Sequence, residues 1–277
     1  MSEDFDLGQE IAFHMAQKTF NLQYKTWDKG THEWFSVGVS FPQDFCQRLE
    51  KLSFPDWYVA CFMSECTDSS IWGAYGNHHK AVCLKFKAEG IPDSRKLTLS
   101  TPSLGTDGVL WTPSSFEFKK VSYDADFVQV DFFRSIGMRS VIQLNRDWYV
   151  DELGSKSSCA DFIHKDVDGW RESYWRNYLD GVTVKLGDWK RENEYRLVQY
   201  STIMDLGDLE LRKLRYDFNS LEGVIFGINT SLEHKVEIVR KVRGICAKYE
   251  RKEFSFYQAR YDSSARKIRV DKIDIPF

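Results

Sequence analysis

The stretch DWKRENEYRLVQY, residues 188–200, has the composition of a β-strand and carries two carboxylates at alternate positions. Successive side chains of a strand point to opposite faces, so the spacing predicts that Glu192, Glu194 and Arg196 share one face. Two carboxylates at that distance repel each other, and either a cation neutralises them or a ligand uses them. Two interpretations follow: a solvated strand face with weak surface ion pairs, or the wall of a site.

The composition is that of an ordinary globular protein. The chain has 277 residues, of which 42% are hydrophobic and 29% charged, and its formal net charge is −3. It is long enough to bury a sizeable core, and its overall charge does not favour nucleic acid or anionic lipid. The acidic N-terminus lacks a signal-peptide pattern, no window is apolar enough to cross a membrane, and the cysteine spacing indicates reduced thiols. We therefore expect a cytoplasmic protein without a membrane partner.

The order of predicted elements indicates a mixed α+β fold, with small twisted sheets and flanking helices around a central cleft. We expect one compact domain over residues 1–277, with a loop-rich segment at 90–115 that holds three of the six prolines. Helices are predicted over 7–24, 42–52, 69–77, 127–148, 166–179 and 231–243. Strands are predicted over 57–64, 81–88, 116–123, 188–200 and 221–228, and a hairpin over 253–262 and 267–275.

A second stretch, CFMSECTDSSIWGAYGNHHKAVCLKF (61–86), predicts a strand, a short helix and a strand. Ring faces, hydrogen-bonding groups and a cation lie close together in it, and recognition of a nucleotide-like ligand requires that mixture. Alternatively, Trp72 and Tyr75, three apart on one helical turn, both pack inward as core. The candidate ligand-contacting residues are Ser64, Trp72, Tyr75, His79 and Lys80.

Familiar catalytic and metal motifs are absent from the sequence. There is no G-x-S-x-G, Walker A, H-E-x-x-H or complete G-x-G-x-x-G pattern. The cysteines and histidines between Cys61 and Cys83 do not have the spacing of a zinc site, so we expect no metal. The turn GINTS (227–231), which precedes a predicted helix, either offers backbone N–H groups to a phosphate or simply caps the helix.

Five sub-motifs occur in a fixed order: Cys-Phe-x-Ser, Trp-x-x-Tyr, His-Lys-x-x-Cys-x-x-Phe, Trp before Glu-x-Glu-x-Arg, and Ile-Phe-Gly. Together they resemble the bacterial domain of unknown function 2971 family over about residues 57–240. Ala81 stands where that family usually has glycine. The matching residues are Cys61, Phe62, Ser64, Trp72, Tyr75, His79, Lys80, Cys83, Phe86, Lys185, Trp189, Glu192, Glu194, Arg196, Ile225 and Gly227.

The site chemistry is similar to that of ADP-ribosyltransferases. Those enzymes bind NAD between small sheets and place a strand-borne glutamate beside the ribose, where it stabilises the developing positive charge. On this analogy Glu194 and Glu192 are catalytic, one holding the ribose and the other orienting a nucleophile, with NAD as the substrate. Ser64, Trp72 and Tyr75 would supply a hydroxyl and stacking rings, His79 and Lys80 would meet the pyrophosphate, and Arg196 would hold the carboxylates or a phosphate.

We therefore expect a NAD- or nucleotide-using enzyme of the ADP-ribosyltransferase type, acting as a toxin or phage-defence effector on a nucleic-acid or protein acceptor. The alternative is a non-catalytic module that binds a nucleotide, nucleic acid or protein through an aromatic cleft. A third interpretation, metal-dependent hydrolysis of nucleic acid, needs further acids such as Asp188 or Asp208. The family's usual first strand is absent, so the chain is either a shortened form or completed by a protein partner.

The first two interpretations require different architectures. The enzyme needs Glu192 or Glu194 to face an open cleft, with Trp72 or Tyr75 within the width of a ring. The binding module needs an exposed groove and tolerates glutamates that are paired and buried.

Overall fold

The computed structural model describes residues 54–91, 94–126, 137–147, 155, 161–202 and 204–275. The helices predicted over 7–24 and 42–52 lie outside the described residues. Where the sequence predicts one domain, the chain divides into two compact units. One unit comprises residues 1–56 and 126–182, and the other comprises 57–125 and 183–277.

Helices and strands alternate along the described residues, which confirms the mixed α+β class. The strands are β1 (Trp57–Met63), β2 (Val82–Phe86), β3 (Lys96–Gly105), β4 (Gly108–Glu117), β5 (Lys119–Lys120), β6 (Glu194–Tyr200), β7 (Arg215–Tyr216), β8 (Leu221–Phe226), β9 (Ser255–Asp262) and β10 (Lys267–Ile273). The α-helices are α1 (Ser69–Tyr75), α2 (Val141–Asp147), α3 (Asp161–Lys165), α4 (Val167–Thr183), α5 (Leu209–Arg212) and α6 (Leu232–Lys248). Two 3-10 helices cover Gly187–Glu192 and Phe218–Ser220. Within this part of the chain, no helix is both long and apolar enough to cross a membrane.

The strands form three small sheets, with the orders β1-β6-β5, β10-β9-β8-β2 and β4-β3-β7. Most neighbouring strands are antiparallel, and the predicted hairpin is confirmed as β9 and β10. Strands β8 and β9 are parallel and adjacent. A parallel pair needs a long crossover connection, and α6 provides it.

Each face of the four-stranded sheet is covered by a helix of the same unit. On one face, Phe226 packs with Val242 and Cys246 of α6. On the other face, Ile225 packs with Trp72 of α1. Consecutive residues of β8 thus serve opposite clusters, as the alternation of a strand requires. Burying each large apolar side chain stabilises the fold by about 1.5–3 kcal/mol.

The predicted strand, short helix and strand form as β1, α1 and β2, but the two strands join different sheets. Strand β1 pairs with β6, placing Cys61 opposite Arg196, whereas β2 pairs with β8. Helix α1 begins after Asp68, whose carboxylate accepts hydrogen bonds from the backbone N–H groups of Ser70 and Ile71. This cap satisfies two of the N–H groups that a helix start leaves unpaired.

The segment 90–115, predicted to be rich in loops, is mostly a β-hairpin. Strands β3 and β4 pair along their full length and turn between Gly105 and Gly108. Proline lacks the N–H of a sheet ladder and is tolerated only where one side of a strand is unpaired. Pro113 lies on β4, which is an edge strand, and Pro102 lies beyond the part of β3 that pairs with β7.

The unit of residues 1–56 and 126–182 contains α2, α3 and α4. The helix predicted over 166–179 is confirmed as α4, and Tyr174 and Tyr178 on it are buried core residues. The ring of Phe54 lies 5.0 Å from that of Tyr174 and 5.5 Å from that of Tyr178. Helix α2 lies within the helix predicted over 127–148, whose other residues are largely outside the described part of the chain.

The turn between α1 and β2 contains three consecutive residues with positive φ. Asn77, His78 and His79 have φ values of 48°, 54° and 66°. Each non-glycine residue held there costs about 1–3 kcal/mol, so the surrounding structure must hold the turn in place.

The loop that follows β8 holds this turn through backbone hydrogen bonds. The N–H of Asn229 donates to the carbonyl oxygen of His79 at 2.9 Å, and the N–H of Gly227 donates to that of Ala81 at 3.1 Å. These N–H groups of the GINTS turn therefore have protein acceptors rather than facing a phosphate. Ser231 caps α6 by accepting from the N–H of His234, which confirms the alternative of a helix cap.

Replacing Gly227 with alanine tests this close approach. An added Cβ would lie 2.2 Å from the carbonyl oxygen of His79 and 2.9 Å from that of Ala81. Both are backbone groups, which cannot move aside as a flexible side chain could. We expect Gly227→Ala to lower the free energy of unfolding by about 3 kcal/mol, the upper range for overpacking, as measured by chemical denaturation.

The matched control is Gly73→Ala in α1, where an added Cβ meets nothing within 4 Å. Alanine is the better helix former, so this variant should unfold at an equal or higher denaturant concentration. A Gly227→Ala variant as stable as Gly73→Ala would contradict the packing described.

Candidate functional site

Four charged side chains form a cluster beside the start of β6. The ammonium of Lys185 contacts the carboxylates of both Glu192 and Glu194, the latter at 3.1 Å. Arg196 Nε donates to Glu194 Oε1 at 2.7 Å. Glu192 is only 5% exposed and Glu194 only 2%, so the interpretation as a solvated strand face is wrong. Two cations and two carboxylates make the cluster formally neutral.

The two glutamates reach this cluster from different elements. The predicted strand over 188–200 begins only at Glu194, because Glu192 ends a 3-10 helix and Asn193 has φ 42°. Asparagine tolerates this left-handed conformation better than most residues. The Asn193 amide donates to Ser64 Oγ at 2.9 Å, which fixes the bend to the chain beyond β1. The two carboxylates therefore converge through a turn rather than through strand alternation.

The backbone of Glu194 is hydrogen-bonded to the segment that follows β5. Its N–H donates to Tyr123 Oη at 3.0 Å, and its carbonyl oxygen accepts from the N–H of Val121 at 2.9 Å. Burial alone would raise the pKa of Glu194, but hydrogen bonds from Arg196, Cys61 and Lys185 outweigh it and lower that pKa to about 2. Glu194 is therefore a fully paired anion at neutral pH.

The thiol of Cys61 is a donor in this cluster rather than a nucleophile. Burial, followed by the hydrogen bond to Glu194 and the charge of that carboxylate, raises the pKa of Cys61 to about 11. A thiol with that pKa is almost entirely protonated at neutral pH, and only a thiolate is an effective nucleophile or metal ligand.

Glu192 connects the cluster to helix α1. One carboxylate oxygen accepts from the hydroxyl of Tyr75 at 2.5 Å, and the other accepts from Lys185. This hydrogen bond to Glu192 is the main reason that the pKa of Tyr75 is raised. The phenol is therefore a permanent donor, and its position is fixed by a buried anion.

Two exposed aromatic rings are attached to the same cluster. Tyr75 is 60% exposed and Trp189 is 47% exposed. The ammonium of Lys185 lies 4.9 Å from the centre of the Trp189 ring, in cation–π contact. Residues three apart on a 3-10 helix lie on the same side, so Trp189 and Glu192 project together. Both rings are thus held in place, yet open to solvent.

An open pocket of about 230 Å³ lies beside Glu192. Tyr75 is not one of its lining residues, but the hydroxyl of Tyr75 contacts Glu192, which is. The lining combines apolar groups, carboxylates, a hydroxyl, an amide and one arginine. The lining residues are Met63, Glu65, Thr67, Asp68, Ile71, Arg191, Glu192 and Asn193.

Several predicted ligand-contacting residues serve the fold instead. Trp72 is 5% exposed, packs against the four-stranded sheet and donates from Nε1 to the carbonyl oxygen of Cys66 at 2.7 Å, so its ring offers no open stacking face. The His79 ring stacks on Trp72 at 6.5 Å. Ser64 already accepts the Asn193 hydrogen bond. Arg196 contacts Glu194.

The prediction from residue types omitted several groups that build this site. Lys185 bridges the glutamates, and Trp189 supplies the second ring; the sequence includes both only as matches to the family pattern. Asp68 and Arg191 line the pocket without any motif that marks them. Among the described residues, no group of three or more histidine, cysteine or acidic side chains could hold a metal ion.

Comparison with known proteins finds no match: no protein-family model, no curated protein and no solved structure matches the chain. The resemblance to the domain of unknown function 2971 family, and the residue roles that follow from it, therefore stay predictions.

The lowered pKa of Glu194 predicts how stability depends on pH. Its ordinary value is 4.5 and its folded value is about 2, so its contribution is complete above pH 4.5 and disappears as the pH falls toward 2. We expect Glu194→Gln to lower the free energy of unfolding by about 3 kcal/mol at pH 7 and by little near pH 2, as measured by denaturant titration at each pH.

Glu210→Gln is the matched control, because its ion pair with Lys213 is on the surface and its side chain is 72% exposed. Such pairs contribute less than about 1 kcal/mol, so the free energy of unfolding of this variant should stay close to that of the wild type at every pH. If Glu194→Gln lowers the free energy of unfolding by the same amount at pH 7 and at pH 2, the cluster does not depend on the charge of this carboxylate.

Proposed function

We propose that this protein is a nucleotide-binding module and that the pocket beside Glu192 takes the nucleoside part of its ligand. The observation that carries the proposal is the pair of exposed rings, Tyr75 and Trp189, both attached to the buried cluster that contains the pocket-lining residue Glu192. An exposed ring whose position is fixed in advance can stack on a base without losing further conformational freedom.

The pocket lining supports a base and a sugar more than a chain of phosphates. Glu65 is a carboxylate that can accept hydrogen bonds from exocyclic amino groups and ribose hydroxyls, while Asp68 caps α1 and Glu192 is paired with Tyr75 and Lys185. Arg191 is the single cation of the lining and could pair with one phosphate group. This charge balance favours a nucleoside or a monophosphate over a triphosphate.

The pocket size agrees with this ligand class. Pockets that enclose whole drug-sized ligands measure roughly 300–1,000 Å³, and this one measures about 230 Å³. A base with its ribose matches that volume, whereas the second half of a dinucleotide would have to lie outside.

The state of the carboxylates supports binding more than catalysis. Glu194 is 2% exposed and accepts hydrogen bonds from Arg196, Lys185 and Cys61. A catalytic carboxylate must direct its charge at the atoms where positive charge develops. Within a neutral cluster, little of that charge is left for a substrate.

One observation favours the NAD-using enzyme as a second candidate. Glu192 lines the pocket and contacts Tyr75, which meets the requirement of a glutamate beside an open cleft and a ring. On this hypothesis Glu192, not Glu194, would meet the ribose, and an ADP-ribosyltransferase-like cleft would be formed by this pocket.

Binding is tested by calorimetric titration with AMP and with NAD. We expect Tyr75→Ala and Trp189→Ala each to weaken AMP binding by about 10-fold, within the range of one base–aromatic stack. Tyr75→Phe should lose less affinity than Tyr75→Ala, because it retains the ring but not the hydrogen bond to Glu192 that fixes its position. Tyr249→Ala is the control, since its ring is 50% exposed but follows α6, on the face of the four-stranded sheet opposite α1.

The proposal is overturned if neither AMP nor NAD binds at millimolar concentration, or if Tyr249→Ala weakens AMP binding as much as Tyr75→Ala and Trp189→Ala do. The same preparations are then incubated with NAD, alone and with cell extract as a source of acceptors. Release of nicotinamide by the wild type that is abolished in Glu192→Gln would establish the enzyme instead. Binding without release supports the module.

A further inference from the structure

We infer that the outer face of helix α6 is a binding surface for single-stranded nucleic acid. The segment RKVRGICAKYERK, residues 240–252, holds six of the 38 basic and one of the 41 acidic residues of the chain. The rest of the chain therefore carries a net charge of −8, whereas this segment carries +5. Such a concentration of one charge attracts a polyanion even when the whole protein is acidic.

The helix geometry places three of these cations, Arg240, Lys241 and Lys248, on one exposed side. We define the α6 surface by two adjacent stripes with a four-residue spacing: Arg240, Gly244 and Lys248, and Lys241, Ile245 and Tyr249. All six residues are exposed, whereas Val242 and Cys246 point into the core. Eight residues of helix rise about 12 Å, so the first and last cations of a stripe can reach different phosphates of one strand.

Two structural explanations of these charges account for only part of the surface. Lys248 lies in the last turn, where a cation stabilises the helix dipole. Lys241 pairs with Glu237 at 2.7 Å, but its side chain is still 71% exposed, and such pairs are weak. Arg240 lies in the middle of the helix, where the dipole has no effect. Arg251 is excluded from the surface because it donates to the carbonyl oxygens of Phe218 and Leu221.

Gly244 leaves room for a strand to approach between the cations. It lies in the interior of an exposed helix, where glycine is less stable than alanine. An added Cβ there would meet nothing within 4 Å, so packing inside the protein does not require glycine. A partner lying along the stripe would explain the missing side chain.

Tyr249 favours a single strand over a duplex or a membrane. Its ring is 50% exposed, and the Lys248 ammonium lies 5.8 Å from its centre. Its position is fixed by a tilted contact with the buried ring of Phe218 at 5.7 Å. A ring face beside cations stacks on a base that is not already stacked in a duplex, while the charges follow the backbone.

The test is fluorescence anisotropy with labelled single-stranded DNA and RNA of about 20 nucleotides, longer than the roughly 4–16 that one binding fold covers. We expect the double variant Arg240→Gln/Lys248→Gln to lose about 25-fold in affinity at 0.1 M salt. The slope of log affinity against log salt should fall by about 1.4, since each single-strand phosphate contact contributes about 0.7. Tyr249→Ala should lose about 5-fold or more.

Arg176→Gln/Lys213→Gln is the matched control, because it removes one arginine and one lysine whose side chains are 61% and 67% exposed elsewhere on the chain. Gly244→Glu should weaken binding by about 10-fold, whereas Gly181→Glu, at another helical glycine with open space, should not. Circular dichroism and thermal melts establish that each variant is folded.

The inference is overturned if the wild type does not bind the oligonucleotides at 0.1 M salt, or if both double variants lose affinity equally. Preferential binding to vesicles of anionic lipid would assign the surface to a membrane instead. AMP titration of Arg240→Gln/Lys248→Gln separates this surface from the nucleotide pocket, because the two sets of residues do not overlap and AMP affinity should not change.

Discussion

The contact of one ammonium group with two buried carboxylates is the interaction on which the described site depends. Burying a single charge costs several kcal/mol, and the cost is recovered only where partners and hydrogen bonds are complete. Lys185, Arg196 and the Tyr75 hydroxyl complete them for Glu192 and Glu194. Removal of either cation would leave an uncompensated charge in the interior, and removal of the Tyr75 hydroxyl would leave Glu192 with one hydrogen bond fewer.

The same contact determines what the site can do. It attaches two solvent-exposed rings, one from a helix and one from a 3-10 helix, to a cluster whose Glu192 lines a pocket. It also pairs the charge of Glu194 with cations of the protein. That pairing leaves Glu194 poorly suited to stabilising a cationic transition state.

Local patterns were sufficient to predict most elements of the described chain. The hairpin of β9 and β10, the capped helix α6 and the buried tyrosines of α4 all follow from alternation, capping residues and four-residue spacing. The hairpin of β3 and β4 was missed because its prolines indicate a loop. They fit within strands only because one side of each is unpaired, and that property belongs to the sheet order rather than to the sequence.

The acidic pair of the site was predicted, but its geometry was not. Alternation places Glu192 and Glu194 on one strand face, whereas a left-handed Asn193 brings them together from two elements. The partner that unites them, Lys185, precedes the predicted strand and carries no signal of its own. Trp72 was misassigned because a ring that faces a ligand and a ring that faces the core have the same spacing on a short helix.

The crossover position of α6 has a consequence for the timing of recognition. Both ends of this helix are tied to neighbouring strands of one sheet, and its inner side is part of the core of that sheet. Local unfolding of the helix would expose the apolar side chains of β8 that it covers, so the backbone amides of its inner side should exchange slowly with solvent. A partner that binds there would find the helix already folded. Its association rate would then be set by diffusional encounter rather than by a folding step.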